Sequence, residues 1–178
     1  MEIEWATAET FHRLTVGHLR PILDVLVKIE WPCPDSQIPL IIDQLGWVLS
    51  SDRVAIHADT RLPLNFAIGS FSRARGQFRS LSFAVSDRVR KTDQAALESV
   101  FNRFPLSVRD MESILGPRSH EDDDRDHPGV AWDLESGGRI RLDCIGSGLQ
   151  CQLLARDLAD AEGFEETHDM SEYYDDDE

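Results

Sequence analysis

VAWDLESGGRIRLDCIGSGLQCQLLA, residues 130–155, decides the fold class. Val130, Trp132 and Leu134 alternate with smaller or polar neighbours, the period-2 pattern of a half-buried strand. Ser136-Gly137-Gly138 offers a three-residue loop, which brings Leu134 opposite Ile140 and Trp132 opposite Leu142. With Ser147-Gly148 as the next turn, Leu142 opposes Leu153 and Cys144 opposes Cys151. The large apolar groups except Leu149 and Leu154 then share one face. The spacing predicts a three-stranded antiparallel meander ending near Ala155.

A second β-rich stretch lies upstream. Trp47–Ser50 and Val54–Ala58 read as short strands joined by a Ser51-Asp52 turn. Beyond them a longer hairpin pairs Phe66 with Phe83, Leu64 with Val85 and Ile68 with Leu81. The same register sets Phe71 opposite Phe78 on the other face, beneath an Arg73-Ala74-Arg75-Gly76 tip.

Helical spacing fills the rest. Thr7 is placed to cap a short helix bearing Phe11 and Leu14, and Pro21 suits the first turn of a second with Ile22, Val25, Leu26 and Ile29 inward. Trp31-Pro32-Cys33-Pro34 ends that helix. Asp35 or Ser36 opens a third, with Ile38, Ile41, Ile42 and Leu45 inward and Gly46 after it. Between the β-rich stretches, Thr92 caps a helix carrying Ala96, Leu97, Val100, Phe101 and Phe104, and Pro105 stops it. A further short helix holds Val108, Met111, Ile114 and Leu115 and closes at Gly116-Pro117. Arg118–Gly129 reads as a polar loop. The expected fold is α+β: antiparallel sheet, in one layer or two, packed with two pairs of amphipathic helices in the order ααα-ββββ-αα-βββ.

Charge divides the chain. The whole carries −15, yet Asp157 to Glu178 holds eleven acidic residues and no Lys or Arg, leaving −4 for residues 1–156. The expectation is a single domain over 1–156 and an acidic, largely disordered tail over 157–178, with a short helix through Arg156–Ala161 allowed. An acid surplus repels phosphate backbones, which argues against nucleic acid. No apolar run is long enough for a membrane span, and MEIEWATAET lacks a signal pattern, so cytoplasmic residence is expected.

Motifs for chemistry are sparse. There is no Gly-rich phosphate loop, no GxSxG, no HExxH and no metal-spaced Cys/His set, so neither cofactor nor metal is expected and a non-enzymatic role is the reading. His57 and Asp59 share a strand face, as a tuned acid–base pair or as a polar pair on a solvated surface. His120 and His127 bracket the acidic run of Glu121 to Asp126, which suits a solvated loop better than a calcium site. Cys33, Cys144 and Cys151 read as packed thiols. Phe71, Arg73, Arg75, Phe78 and Arg79 combine the aromatic and guanidinium groups enriched at protein interfaces, although an ordinary turn with its Phe pair covered also fits them. Tyr173 and Tyr174 lie among carboxylates in a tail able to enter a basic cleft.

Three pieces carry a family resemblance: Glu30-Trp31-Pro32, Leu45-Gly46-Trp47, and Leu115-Gly116-Pro117 followed by the Trp132 strand. Over roughly residues 16–156 the chain resembles small uncharacterised actinobacterial proteins often found beside secreted polymorphic toxins. The resemblance implies an immunity or antitoxin role, in which the protein neutralises a toxin by contact. The expected partner is another protein, a basic toxin for instance, with oligomeric state left open. The alternative is a small acidic chaperone or adaptor for a secreted protein, with a dimer and an apolar groove.

Overall fold

The computed structural model describes residues 3–51 and 55–166. Its elements run α1 (Val16–Leu26), β1 (Cys33–Pro34), α2 (Ile38–Gln44, entered through a 3-10 turn), β2 (Val48–Ser51), β3 (Ile56–Asp59), β4 (Ile68–Ala74) and β5 (Gln77–Ala84). Then come α3 (Gln94–Leu115), β6 (His120–Asp122), β7 (Gly129–Asp133), β8 (Gly138–Cys144), β9 (Leu149–Ala155) and α4 (Arg156–Glu166). The α+β class stands, but the order of elements and the helix pairs do not.

Among the described residues the nine strands form one antiparallel sheet in the order β2-β3-β4-β5-β9-β8-β7-β6, with β1 beside the end of β5. The two β-rich stretches are joined by β5 and β9, where Leu81 faces Leu153 and Phe83 faces Cys151. One face of this sheet supplies Phe71, Leu81, Phe83, Trp132, Ile140, Leu142, Cys144, Leu149, Cys151 and Leu153 to the core. Buried stripes of α1 (Leu19, Ile22, Leu23, Leu26), α2 (Ile38, Ile41, Ile42) and α3 (Ala96, Val100, Phe104, Val108, Met111) complete it.

Prolines misled the helix boundaries twice. Gly17 and Pro21 lie inside α1, and Pro105 lies inside a single 22-residue α3, so the expected second pair is one helix. Both prolines are exposed, so the carbonyl each leaves unpaired faces the wet side while the opposite stripe holds the helix straight through. Asp93 rather than Thr92 caps α3, its carboxylate accepting from the Ala96 N–H at 3.1 Å. Residues 7–10 form a turn between two bridges, Ala6 to Val89 and Arg13 to Ser86, in place of the expected first helix. Phe11 and Leu14 still point inward from it. Asp87 holds this segment: its buried carboxylate accepts the backbone N–H of His12 at 2.8 Å and of Asn65 at 2.9 Å.

Registers depart from expectation in an instructive way. In the meander Trp132 faces Ile140, Leu142 faces Cys151 and Cys144 faces Leu149, each pairing displaced by two residues from the expected one. A shift of two keeps every side chain on its face, so the expected core face survives and Leu149 joins it. The β4–β5 hairpin is displaced by three, with Phe71 facing Leu81 and Gly69 facing Phe83. A two-residue turn at Arg75-Gly76, both at positive φ, pairs Ala74 with Gln77 and accounts for two of those residues, the bulge for the third. A bulge opposite Ser72-Arg73 then swings Phe78 onto the core face beside Phe71, 5.8 Å between centroids. Phe66 and Leu64 fall outside the strands. Arg118–Gly129 is not all loop, because its acidic β6 pairs with β7 as a charged edge strand. The Ser51-Asp52 turn and the tail from residue 167, including its expected disorder, lie outside the described residues.

Candidate functional site

Alternation that sends apolar groups to the helices sends the intervening residues to the other face. The registers align His57, Ser70, Ser82, Gln152, Arg141, Ala131 and His120 in one row across seven strands. A neighbouring row holds Ser72, Ser80, Leu154, Arg139 and Asp133. The Ser72 and Ser80 hydroxyls hydrogen-bond each other. At the Arg139 end, α4 packs on β8 and β9, with Ala159 and Leu154 buried.

Ion pairs pin α4 there. Arg139 bridges Asp133 at 2.7 Å and Asp160 at 3.0 Å, and Arg79 meets Asp157 at 3.0 Å. Asp133 also receives His120 Nε2 at 2.8 Å. Burial alone would raise the Asp133 carboxyl, but hydrogen bonds from Arg139 and His120 outweigh it and hold the pKa below its ordinary value. The Arg79 hydrogen bond likewise lowers Asp157. The first acids after residue 156 therefore neutralise arginines of the sheet.

The hairpin residues separate. Phe71 and Phe78 are buried and pack with Trp47 and Trp31, so they offer nothing to a partner. Arg73 and Arg75 stay exposed at the tip, while Arg79 is engaged by Asp157. Phe71 lies on the core face opposite Leu81, and the bulge turns Phe78 inward beside it. Tyr173 and Tyr174 lie outside the described residues.

His57 and Asp59 do share a face, but the imidazole Nδ1 hydrogen-bonds Ser70 Oγ at 3.1 Å and the Asp59 carboxylate accepts the Arg61 N–H at 2.9 Å. They are not joined as an acid–base pair. In the acidic segment, Asp122 and Asp124 accept backbone N–H groups of residues 124, 126 and 127, the work of turn carboxylates. Cys33, Cys144 and Cys151 are free and buried, and burial raises each thiol's pKa. Among the described residues no helix is long and apolar enough to cross a membrane.

One surface was missed by sequence reasoning. β2 lies at the sheet margin, and among the described residues no strand pairs its outer side. Its Val48 and Leu49 are 42% and 46% exposed, and Leu40 on the neighbouring α2 is 50% exposed. Consecutive large apolar residues in a strand normally mean burial on both faces, so the sequence carried the signal, but only strand order shows that β2 is an edge.

The three family-like pieces hold structural positions. Trp31 packs on Phe78, Trp47 on Phe71 and Phe83, and the Trp132 indole N–H donates to the Gly116 carbonyl at 2.9 Å. Residues 17–154, from α1 into β9, match a family of unknown function, DUF6301. Neither a curated protein nor a solved structure matches the chain.

Proposed function

The chain belongs to the DUF6301 family, and since that family's function is unknown we propose, from the molecule's own surface, that it is a non-enzymatic protein-binding domain of the immunity type. The observation that carries this is the β2 margin. A strand whose outer edge no other strand pairs among the described residues, with two exposed aliphatic side chains, invites an extended segment of another chain, whose backbone completes the ladder while Val48, Leu49 and Leu40 lose water. Burying those three side chains supplies about 1 kcal/mol or more apiece. The net −15 favours a basic partner and speeds its approach at low salt. The reading of that partner as a toxin draws on the resemblance of the pieces at Trp31, Trp47 and Trp132 to proteins often found beside toxins, and its meeting in the cytoplasm on the absence of a signal pattern in MEIEWATAET.

The test is co-expression with the product of a neighbouring toxin gene. Growth should be rescued and a complex should co-elute on gel filtration. The Val48→Lys/Leu49→Lys double variant should keep the fold and lose both effects. Rescue that survives the double variant would overturn the assignment of β2.

An adaptor reading draws on a different feature, the groove of about 700 Å³ between α1 and α2, with Val25, Ile29 and Ile41 along it and Leu40 at its rim. It requires a dimer, which light scattering measures directly.

A further inference from the structure

Four arginines withdrawn from water answer carboxylates: Arg13 meets Asp110, Arg79 meets Asp157, Arg139 meets Asp133 and Asp160, and Arg141 meets Asp143. Arg88 differs from these four. Its guanidinium lies over the Phe66 ring, 5.1 Å from the centroid, and among the described residues hydrogen-bonds only the Gln150 side-chain oxygen, at 3.4 Å. The adjacent Asp87 carboxylate is taken up by His12 and Asn65. Burial accordingly lowers the Arg88 pKa, yet arginine stays cationic at neutral pH.

A cation withdrawn from water without a counter-charge is destabilising, so its position calls for a reason. Arg88 lines a cavity of about 660 Å³ on the polar face of the sheet, a volume typical of small-molecule sites. Phe66 and Ile68 give that cavity an apolar wall, and Ser70, Ser82 and Gln150 give it neutral hydrogen-bonding groups. Ser70 and Ser82 are direct cross-strand partners, and His57 fixes the Ser70 hydroxyl at 3.1 Å. Charge, hydroxyl donors and a flat apolar surface thus converge from the segment before β4, from β4, β5 and β9, and from the segment after β5.

We propose that this cavity binds a small organic anion, a carboxylate or phosphate ester attached to an apolar ring, with Arg88 as the residue that recognises its charge. A guanidinium fork matches two oxygens of either group, and the serine hydroxyls donate to the remaining lone pairs. The ring lies against Phe66 and Ile68. The site shares no residue with the β2 margin and stands independently of the partner-binding reading.

Phenyl phosphate and benzoate, titrated into the full chain, are suitable probes, with inorganic phosphate as reference. Amide shifts of Ser70, Ser82, Arg88 and Gln150 should saturate with at least one ring-bearing anion, at an affinity about tenfold above inorganic phosphate. Arg88→Gln should weaken that binding about tenfold or more. Ser82→Ala, which leaves every charge in place, should weaken it about threefold and guards against a misfolded arginine variant. Shifts that fail to saturate with both probes, or affinities that neither substitution changes, overturn the proposal.

Discussion

Trp47 packs over Gly69 so closely that a Cβ built on the glycine would stand 2.7 Å from a ring carbon. The indole also meets Phe71 and Phe83 edge-on, at 6.3 and 5.5 Å between centroids, and so couples the exit of α2 to the middle of the sheet. Trp31 repeats the device at Gly138, where a Cβ would lie 2.5 Å from the indole nitrogen. Both tryptophans belong to the family-like pieces, and both are held by a glycine far away in sequence.

Gly69→Ala should therefore destabilise the fold by about 1–3 kcal/mol, the ordinary result of overpacking. Gly76→Ala, where a Cβ meets nothing within 4 Å, separates strain at its φ of +76° from a clash. Urea unfolding of the two variants measures the difference.

Asp87→Ala removes the acceptor of two backbone N–H groups, those of His12 and Asn65. Each orphaned donor costs about 1–3 kcal/mol if it stays buried. The segment before α1 should loosen first, seen as faster hydrogen exchange at residues 12 and 14 than in the rest of the sheet.

Asp133 carries a pH signature. Its folded pKa lies below the ordinary carboxylate value, so its contribution is complete above about pH 4 and fades as pH falls towards the folded pKa. Stability measured against pH should drop on the acid side, and Asp133→Asn should make that limb shallower. An unchanged limb would show that the Arg139 and His120 contacts contribute nothing to folding.

Thiol chemistry checks the meander register. Cys144 faces Leu149 and Cys151 faces Leu142, and both side chains are fully buried. A thiol reagent should leave the two unmodified in the native protein and label all three cysteines in denaturant. A Cys144–Cys151 disulfide found after mild oxidation of the folded chain would contradict that register.

Much of the candidate site could not have been read from the chain. The polar row from His57 to His120 spans seven strands, and its members become neighbours only through long-range pairings such as Ser82 with Gln152. Nothing local marks Arg88 as unpaired, since Asp87 beside it looks like its natural counter-charge until the backbone of His12 and Asn65 claims that carboxylate. The Phe78 anchor failed for a local reason instead, a bulge that one-to-one pairing does not contemplate and that swings it inward beside Phe71.

What the sequence by itself determined was parity and class. Alternation along residues 130–155 chose the buried face, and a register displaced by two residues left that choice intact because the pleat repeats every two. The helical stripes of α1, α2 and α3 were likewise legible, because their periodicity is a local property. Tertiary structure alone decided that Pro21 and Pro105 do not break their helices, that β5 and β9 fuse the strands into one sheet, and that β2 is left at its margin. Each of these outcomes depends on burial and hydrogen bonds supplied by distant residues, which outweigh local preference.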